Sequence, residues 1–320
     1  MSLRDLAERV GALRQLASVR RLTLEDGPES GPALLFSTGG GLDFLVMAGR
    51  GLDVGTLNYQ GVPLAWQSPG GLAGPGLWQP DRDDGQGFNR GFSGLLMTCG
   101  LDSIRQPRAG GVLHGSLPGT PARLTACGED WDRDEPVLFC AGEVVQARYG
   151  GANLRLRRRI EAPIGGSVIR LTDIVENVGP SPQQHALLYH LNFGFPSIGP
   201  GSTVRVGDET LLGPLRFPDA SVSQTPACRA LPRGGDVTCR LITPKPEGEL
   251  EIGITFATET LPFLQLWQDL RPRAGILAIE PCTSDRTPEG FSETETVLAP
   301  GETRSYRLEL AIKGLAPSIF

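Results

Sequence analysis

The sequence has few of the patterns that mark the commonest enzyme classes. Only three histidines are present (His114, His185 and His190), so few groups could carry acid–base chemistry near neutral pH. No two of the six cysteines have C-x-x-C spacing, which argues against a structural zinc site. Gly-x-Gly-x-x-Gly does not occur between a strand and a helix, and Gly-x-Ser-x-Gly is absent. Neither a dinucleotide fold nor a hydrolase nucleophile elbow is therefore supported.

Long apolar runs and blocks of like charge are also scarce. No run reaches the roughly 18 apolar residues of a membrane span, and the N-terminus lacks the apolar core of a signal peptide. The one basic block, RLRRR at 155–159, is interpreted as a strand with one solvated basic face. We therefore expect a cytoplasmic protein with reduced thiols that binds neither nucleic acid nor membrane.

Glycine and proline are abundant instead, at 43 and 27 of 320 residues. They separate short apolar or alternating segments, which is typical of many strands joined by turns. Residues 142–178, for example, predict three consecutive antiparallel strands. Because no helical pattern lies between the strands, the sequence predicts an all-β fold, a large antiparallel β-sandwich, and not a parallel βαβ architecture.

The N-terminal residues break this strand pattern. Residues 3–18 carry apolar side chains at helical spacing, which predicts one amphipathic helix. We expect a helical appendage at residues 1–20 and a single β-sandwich domain at 21–320.

His190 interrupts an apolar run, LLYHLNFGFPSIG at 187–199. A buried strand usually excludes histidine because both ring nitrogens need partners, so we interpret His190 as facing a cleft. Asn192 lies on the same face of the strand, two residues further on, and is expected to share that cleft and bind the substrate. His185 lies on the opposite face and is expected at the surface, so the two histidines are a poor metal-binding pair. No metal site is expected.

Glu280 ends an apolar strand, GILAIE, and precedes a proline. A carboxylate at the end of a buried strand is costly unless it is paired or functional. A general base and a structural salt bridge to a nearby arginine both remain open. His114 lies in the turn-rich segment GVLHGSLPGT, where the alternative to a functional role is hydrogen bonding to turn carbonyls.

Other polar residues lie near glycine-rich turns. Asn89 and Arg90 in GFNRGF have donors that suit sugar hydroxyls, although a surface turn is the alternative. Asp102 follows an apolar strand and is a further candidate for ligand binding. Arg50 and Asp53 flank a Gly-Leu turn, where we expect a structural pair that holds adjacent strands.

Three motifs in a fixed order, LHG (113–115), YHLNFG (189–194) and IEP (279–281), resemble the aldose 1-epimerase (galactose mutarotase-like) superfamily. Members carry an early LHG, a central strand of the type xHxYFN and a late strand ending in EP. Further segments, among them NRGFSGLLMTCGLD and LQLWQ, are similar to an uncharacterised branch classed as a domain of unknown function. The resemblance covers residues 30–315. It implies a large antiparallel β-sandwich and no metal or organic cofactor, and the short N-terminal helix predicted above precedes the matched residues.

The resemblance also implies roles for individual residues. Glu280 would be the general base on the anomeric hydroxyl, and His190 the general acid that protonates the ring oxygen. The ring opens, the C1–C2 bond rotates and the ring closes on the other face. His114 would hydrogen-bond near the ring oxygen, and Arg90 would hold substrate hydroxyls. This chemistry is expected to place the acid and the base on opposite sides of the sugar ring.

Two departures from the family pattern concern the substrate. Asn192 stands two residues after His190, where the standard enzymes have an aromatic residue. The late sugar-binding aspartate has only Asp269 as a loose counterpart. An intact acid–base pair with different sugar contacts fits a modified, acidic or phosphorylated sugar.

The expected function is therefore an aldose 1-epimerase-like isomerase acting on a small-molecule carbohydrate, and a homodimer is left open. A non-catalytic carbohydrate-binding protein and another sugar isomerase or lyase are the alternatives. Because both Glu280 and His190 are present and aromatic residues are few, chemistry is favoured over binding alone.

Overall fold

The computed structural model describes residues 3–26, 30–72, 74, 76, 78–107, 110–246, 248–293 and 296–314. Strands dominate this part of the chain. They are β1 (Ser18–Glu25), β2 (Ser30–Ser37), β3 (Leu42–Met47), β4 (Asp53–Tyr59), β5 (Val62–Pro63), β6 (Leu96–Leu101), β7 (Arg123–Asp130), β8 (Val137–Ala147), β9 (Asn153–Pro163), β10 (Val168–Asn177), β11 (Gln183–Gly194), β12 (Thr203–Val206), β13 (Glu209–Leu212), β14 (Ala227–Ala230), β15 (Asp236–Lys245), β16 (Gly248–Ala257), β17 (Phe263–Asp269), β18 (Ile276–Cys282), β19 (Thr296–Leu298) and β20 (Thr303–Gly314).

The strands form three antiparallel sheets. The first has the order β1-β2-β3-β4-β5, and the second has the order β13-β12-β15-β16-β20-β10-β9-β8-β7. The third has the order β14-β17-β18-β11-β19, with β6 also paired to β11. The predicted β-sandwich is confirmed, as are the three consecutive antiparallel strands β8, β9 and β10.

One hydrophobic core joins the three sheets. Phe44 of the first sheet, Ile160 of the second and Leu191 of the third belong to the same buried cluster. Strand β9 shows how the sequence builds this core, because its side chains alternate between the core and the outer face. On the outer face, Arg155 and Arg157 reach Glu176 on β10 at 2.7 and 3.5 Å, which confirms the solvated basic face.

Arg158 is the exception in this basic block, because its position on β9 faces inward and its side chain is fully buried. Its guanidinium donates to Asp173 at 2.7 and 2.9 Å and to Asp53 at 2.8 Å. Thr98 and Tyr189 complete the cluster, with hydrogen bonds to Asp53 at 2.6 Å and to Asp173 at 2.8 Å. Burial alone would lower the pKa of Arg158, but the attraction of the two carboxylates outweighs burial and raises that pKa.

The expected pair between Arg50 and Asp53 is not formed, because Arg158 takes the carboxylate of Asp53. Arg50 is buried, and its guanidinium nitrogens have no hydrogen-bond partner among the described residues. Burial lowers the pKa of Arg50.

The predicted helix at residues 3–18 is wrong in length. Helix α1 covers only Leu3–Ala7, and a single 3₁₀ turn follows at Leu13–Gln15. Gly11 is unfavourable within a helix, and Ala12 next to it is extended, with φ −156° and ψ 137°. Strand β1 already begins at Ser18. The division into an appendage at 1–20 and a domain at 21–320 stays a prediction.

The other helices that the structure describes are one turn long: α2 (Arg82–Gly85) and α3 (Phe88–Gly91). None of the described helices has the length and apolar character to cross a membrane. Both short helices lie in the connection that precedes β6, next to the cleft described below.

Candidate functional site

The third sheet places the two predicted catalytic residues on neighbouring strands. Glu280 on β18 pairs with Gln265 on β17, and Ile279 pairs with Leu191 on β11. This register brings His190 level with Glu280. Because directly opposed residues of antiparallel strands point to the same face, the side chains of Gln265, Glu280 and His190 form one row.

A cleft of about 290 Å³ opens over this row. Glu280 is fully buried at its base, and His190 is 5% exposed. The walls come from Gln86 and helix α3, the loop that carries His114, the segment before β14, strand β17 and the loop that follows β18. Residues distant in sequence therefore meet in one place because the central strands of the third sheet are adjacent.

Glu280 has one satisfied and one unsatisfied carboxylate oxygen. Its Oε2 accepts a hydrogen bond of 2.6 Å from Nε2 of Gln265. Its Oε1 is buried without a hydrogen-bond partner in the described part of the chain, and Nε2 of His190 lies 3.7 Å away. The alternative of a salt bridge to arginine is not observed within that part. An unpartnered buried carboxylate oxygen is costly, so this atom is suited to accept a proton or a hydrogen bond from a ligand.

Asn192 fixes the orientation of His190. The Nδ2 group of Asn192 donates to the carbonyl of Gly94 at 3.0 Å, so its Oδ1 faces Nδ1 of His190 at 2.6 Å. An amide oxygen only accepts, so Nδ1 carries the proton of this hydrogen bond. The proton that His190 gains or loses is therefore on Nε2, the nitrogen that faces Glu280. Asn192 is buried and acts on His190, and it is not part of the cleft wall.

His114 lines the cleft from a strained loop, with φ 61°. Its ring centroid lies 5.6 Å from that of His190 and 4.6 Å from that of Phe88. Burial lowers the pKa of His114 well below its usual range, and the neighbouring His190 and Arg105 lower it further. His114 is therefore neutral at pH 7 and can donate one hydrogen bond without competing for the proton of His190.

Aromatic side chains form one wall of the cleft. The ring centroids of Phe92 and Trp267 lie 5.0 and 6.2 Å from that of His190, and Phe88 packs against Phe92 at 5.4 Å. The low aromatic content of the whole sequence gave no sign that several aromatic rings meet at this cleft. Such rings can pack against the apolar face of a sugar, so aromatic scarcity over the whole chain does not separate catalysis from binding.

The structure places four of the five predicted substrate-binding residues outside the cleft: Asn192, as described above, and Arg90, Asp102 and Asp269. Arg90 is half-exposed and held by Asp83 at 2.6 and 2.8 Å, and Asp269 is held by Arg271 at 2.7 and 2.9 Å. Asp102 accepts hydrogen bonds from the backbone and hydroxyl of Ser116, at 3.2 and 3.0 Å, and so shapes the loop of His114. Of the residues described, Asn89 is the remaining predicted sugar contact, and it lines the cleft.

His185 is buried, and its expected surface position is wrong. Its Nδ1 donates to the carbonyl of Leu101 at 2.8 Å, so its Nε2 accepts from the hydroxyl of Tyr306 at 2.6 Å. Both nitrogens are satisfied while the ring is neutral. Burial lowers the pKa of His185 to about 4.

Sequence reasoning missed two residues that support Glu280. Gln265 holds Oε2 of Glu280, and its own Oε1 accepts a hydrogen bond of 2.9 Å from Arg105. Arg105 is buried, and its other donors reach the carbonyls of Ser284 and Asp285 at 2.7 and 2.6 Å. Gln265 could have been found from its place two residues before Trp267 on one strand face. Arg105 comes from an irregular loop and carries no comparable signal.

No cluster of three or more potential metal ligands occurs among the residues that the structure describes. All six cysteines are free thiols.

Solved structures with the same architecture define the fold class. The chain superposes with a TM-score of 0.79 on a protein from Klebsiella pneumoniae described provisionally as an aldose 1-epimerase, at 20% identity over 94% of this chain and 86% of the other. A galactose mutarotase related enzyme from Lactobacillus acidophilus gives 0.60 at 11% identity, covering 92% and 98% of the two chains. A galactose mutarotase-like protein from Clostridium acetobutylicum gives 0.56 at 14% identity, covering 93% and 99%. The chain has a galactose mutarotase-like fold.

Within this fold class, the chain belongs to the family described as Domain of unknown function (DUF4432), whose model matches residues 29–214 and 230–312. A comparison with curated protein sequences found no match.

Proposed function

We propose that this protein is an aldose 1-epimerase-like isomerase that interconverts the anomers of a small sugar or sugar derivative. One observation carries the proposal: the unpartnered, fully buried Oε1 of Glu280 lies 3.7 Å from Nε2 of His190 at the base of a cleft. A carboxylate and a histidine positioned in this way form a general base and a general acid.

The reaction follows from these two atoms. Oε1 of Glu280 takes the proton of the anomeric hydroxyl, while the protonated Nε2 of His190 gives its proton to the ring oxygen. The C1–O5 bond breaks and leaves an open-chain aldehyde. Rotation about C1–C2 and the reverse proton transfers close the ring with the opposite configuration at C1. Glu280 and His190 both return to their starting protonation states, so no net proton is consumed.

The short distance between acid and base differs from the expectation that they lie on opposite sides of the ring. The two oxygens that exchange protons are both bonded to C1. A base and an acid that approach C1 from one side of the cleft can therefore serve both oxygens. His114, neutral at pH 7, would donate to an oxygen of the bound sugar, and Phe92 and Trp267 would pack against the sugar ring.

The test is anomeric exchange measured by saturation-transfer NMR on a panel of aldoses, uronic acids and sugar phosphates. The proposal predicts faster α/β exchange for at least one sugar with the wild-type protein and none with Glu280→Gln. The matched control is Glu209→Gln, which removes an exposed carboxylate that pairs with Arg229.

Two results would overturn the proposal. If Glu280→Gln retains full exchange, Glu280 is not the base. If sugars bind but no sugar of the panel shows faster exchange, the protein is a carbohydrate-binding protein or an enzyme of another reaction type.

A further inference from the structure

We infer that the substrate carries an anionic group, a carboxylate or a phosphate, and that Arg286 binds it. This inference rests on the proposed function for the identity of the ligand as a sugar, but its basis is a different part of the cleft. Arg286 lies in the loop after β18 and lines the same cleft as Glu280.

The guanidinium of Arg286 is available to a ligand. It is half-buried, and the hydrogen bond recorded for it is a long one of 3.3 Å to the carbonyl of Thr287. In the described part of the chain it forms no ion pair. The neighbouring Asp285 accepts instead from the backbone N–H of Arg286 at 2.7 Å, and Asp285 does not line the cleft.

The loop holds Arg286 in a defined place. Gly290 has φ 95°, and a Cβ there would lie 3.0 Å from Nη2 of Arg286 and 2.9 Å from Cγ of Gln106. The backbone N–H of Gln106 donates to the carbonyl of Gly290 at 3.2 Å. Because Gly290 has no side chain, the guanidinium of Arg286 and the side chain of Gln106 both fit closely beside it.

The charge balance of the cleft favours an anion. Its lining contains two arginines, Arg105 and Arg286, against one carboxylate, Glu280. Arg105 is held by Gln265 and by two backbone carbonyls, so its charge adds to the positive potential of the cleft from a fixed position. The remaining polar lining consists of His114, His190 and neutral amides, and the amides suit hydroxyl groups. A neutral sugar would leave the charge of Arg286 unpaired in a partly desolvated cleft.

A carboxylate or phosphate substituent would form a charge-assisted, two-pronged contact with Arg286. The sugar would then be held at two points, with C1 at Glu280 and the anionic substituent at Arg286. Such a contact discriminates strongly between charged and neutral sugars of the same ring size.

The experiment compares α/β exchange of D-glucose, D-glucuronate and D-glucose 6-phosphate, and of D-galactose and D-galacturonate, by the same NMR method. We expect kcat/KM to be at least about tenfold higher for an anionic sugar than for its neutral counterpart, because a hydrogen bond to a charged group typically contributes that much binding energy. Arg286→Met should remove this preference through KM, while Arg286→Lys should retain part of it. Arg229→Met removes an exposed, ion-paired arginine and serves as control.

The outcomes separate this inference from the proposed function. Exchange that is equally fast for neutral and anionic sugars, or an anionic preference that survives Arg286→Met, would overturn the inference and leave the isomerase intact. Binding of anionic sugars to Glu280→Gln, measured by line broadening, tests the inference without turnover. If exchange fails throughout but this binding depends on Arg286, the proposed reaction is wrong and the anion site stands. If neither exchange nor Arg286-dependent binding occurs, both are wrong. Preference for the phosphate or the carboxylate identifies the anionic group.

Discussion

Two buried polar clusters in this protein differ in how completely their groups are paired. In the first, Arg158 lies between Asp53 and Asp173, and both carboxylates accept further hydrogen bonds from Thr98 and Tyr189. In the second cluster, Glu280 and His190 face each other at 3.7 Å, and Oε1 of Glu280 has no hydrogen-bond partner in the described structure. The first cluster joins all three sheets, since Thr98 and Tyr189 lie on strands of the third. The second cluster opens into a cleft.

Strand β11 makes the same contrast with two histidines. His185 is satisfied at both nitrogens by Leu101 and Tyr306. His190 is satisfied at Nδ1 by Asn192, and its Nε2 faces the cleft. A buried group with all its hydrogen bonds filled by the protein contributes to stability, whereas a buried group with one position unfilled is available for chemistry. Burial alone would not separate the two.

The largest expected effect is on the activity of Glu280→Gln. An amide cannot take the proton of the anomeric hydroxyl, so anomeric exchange should fall by about 10³-fold or more, at the upper end of general acid–base effects. NMR exchange rates measure this. The control Glu209→Gln should be indistinguishable from wild type, and exchange in Glu280→Gln close to the wild-type rate would break the contrast between the clusters.

Asp173→Asn should act on the other cluster and reduce the free energy of unfolding. It leaves Arg158 fully buried with one carboxylate fewer, a change that typically costs about 3–5 kcal/mol. Denaturant titration measures the loss. The matched control is Glu176→Gln on the same strand, since Glu176 pairs with Arg155 on the outer face and should contribute about 1 kcal/mol or less. Equal effects of the two variants would show that the saturated cluster has no special structural role.

His190→Gln should lower anomeric exchange about 100-fold, because a glutamine cannot deliver a proton to the ring oxygen. Its free energy of unfolding should fall by no more than about 1–3 kcal/mol, the cost of losing the Nδ1–H donor to the buried Oδ1 of Asn192. Nε2 of His190 satisfies no other protein group by a hydrogen bond in the described structure. Exchange rates and denaturant titrations on the same preparation test both expectations. A large loss of stability with little loss of exchange would show that His190 stabilises the fold and is not the general acid.

The smallest expected effect is a pH dependence of stability from His185. Its pKa in the folded protein is about 4, below the value of about 6.5 expected in the unfolded chain. The unfolded state therefore binds more protons in this range. The contribution of His185 is complete above about pH 6.5 and falls as the pH drops towards 4. Between about pH 7.5 and 5.5 the loss should be about 1.4 kcal/mol.

The variant His185→Gln sharpens this measurement. It changes stability at pH 7.5 through its altered hydrogen bonds, but it should flatten the slope between pH 7.5 and 5.5. The lowered pKa of His114 contributes a slope of the same sign, which should persist in the variant. An unchanged slope in His185→Gln would contradict the saturated, neutral state of His185.

Much of the fold could be predicted from the sequence, because strand alternation and local motifs can be recognised within single segments of the chain. The β-sandwich, the outer basic face of β9 and the place of Glu280 at the end of a buried strand follow from such patterns. Arg158 could not be separated from its neighbours in RLRRR, because its burial depends on Asp53 and Asp173 from other strands. The same holds for His185, whose partners are supplied by β6 and β20.

Site residues could be predicted from the sequence where a motif lies on a strand, but not where the contacts come from loops. Arg90 and Asp269 look like sugar contacts in sequence, but each is held by a nearby ion-pair partner that proximity along the chain alone does not reveal. Arg105 and Arg286 reach the cleft from irregular loops, where no periodicity shows which way a side chain faces.

The central claim is that Glu280 is buried for chemistry and not for stability. The most direct measurement determines anomeric exchange and the free energy of unfolding of Glu280→Gln on one preparation, beside wild type. We predict that exchange on the preferred sugar is lost, while the free energy of unfolding is unchanged or higher because an unpartnered buried carboxylate oxygen has been removed. Retained exchange, or a loss of several kcal/mol in unfolding free energy, would contradict the claim.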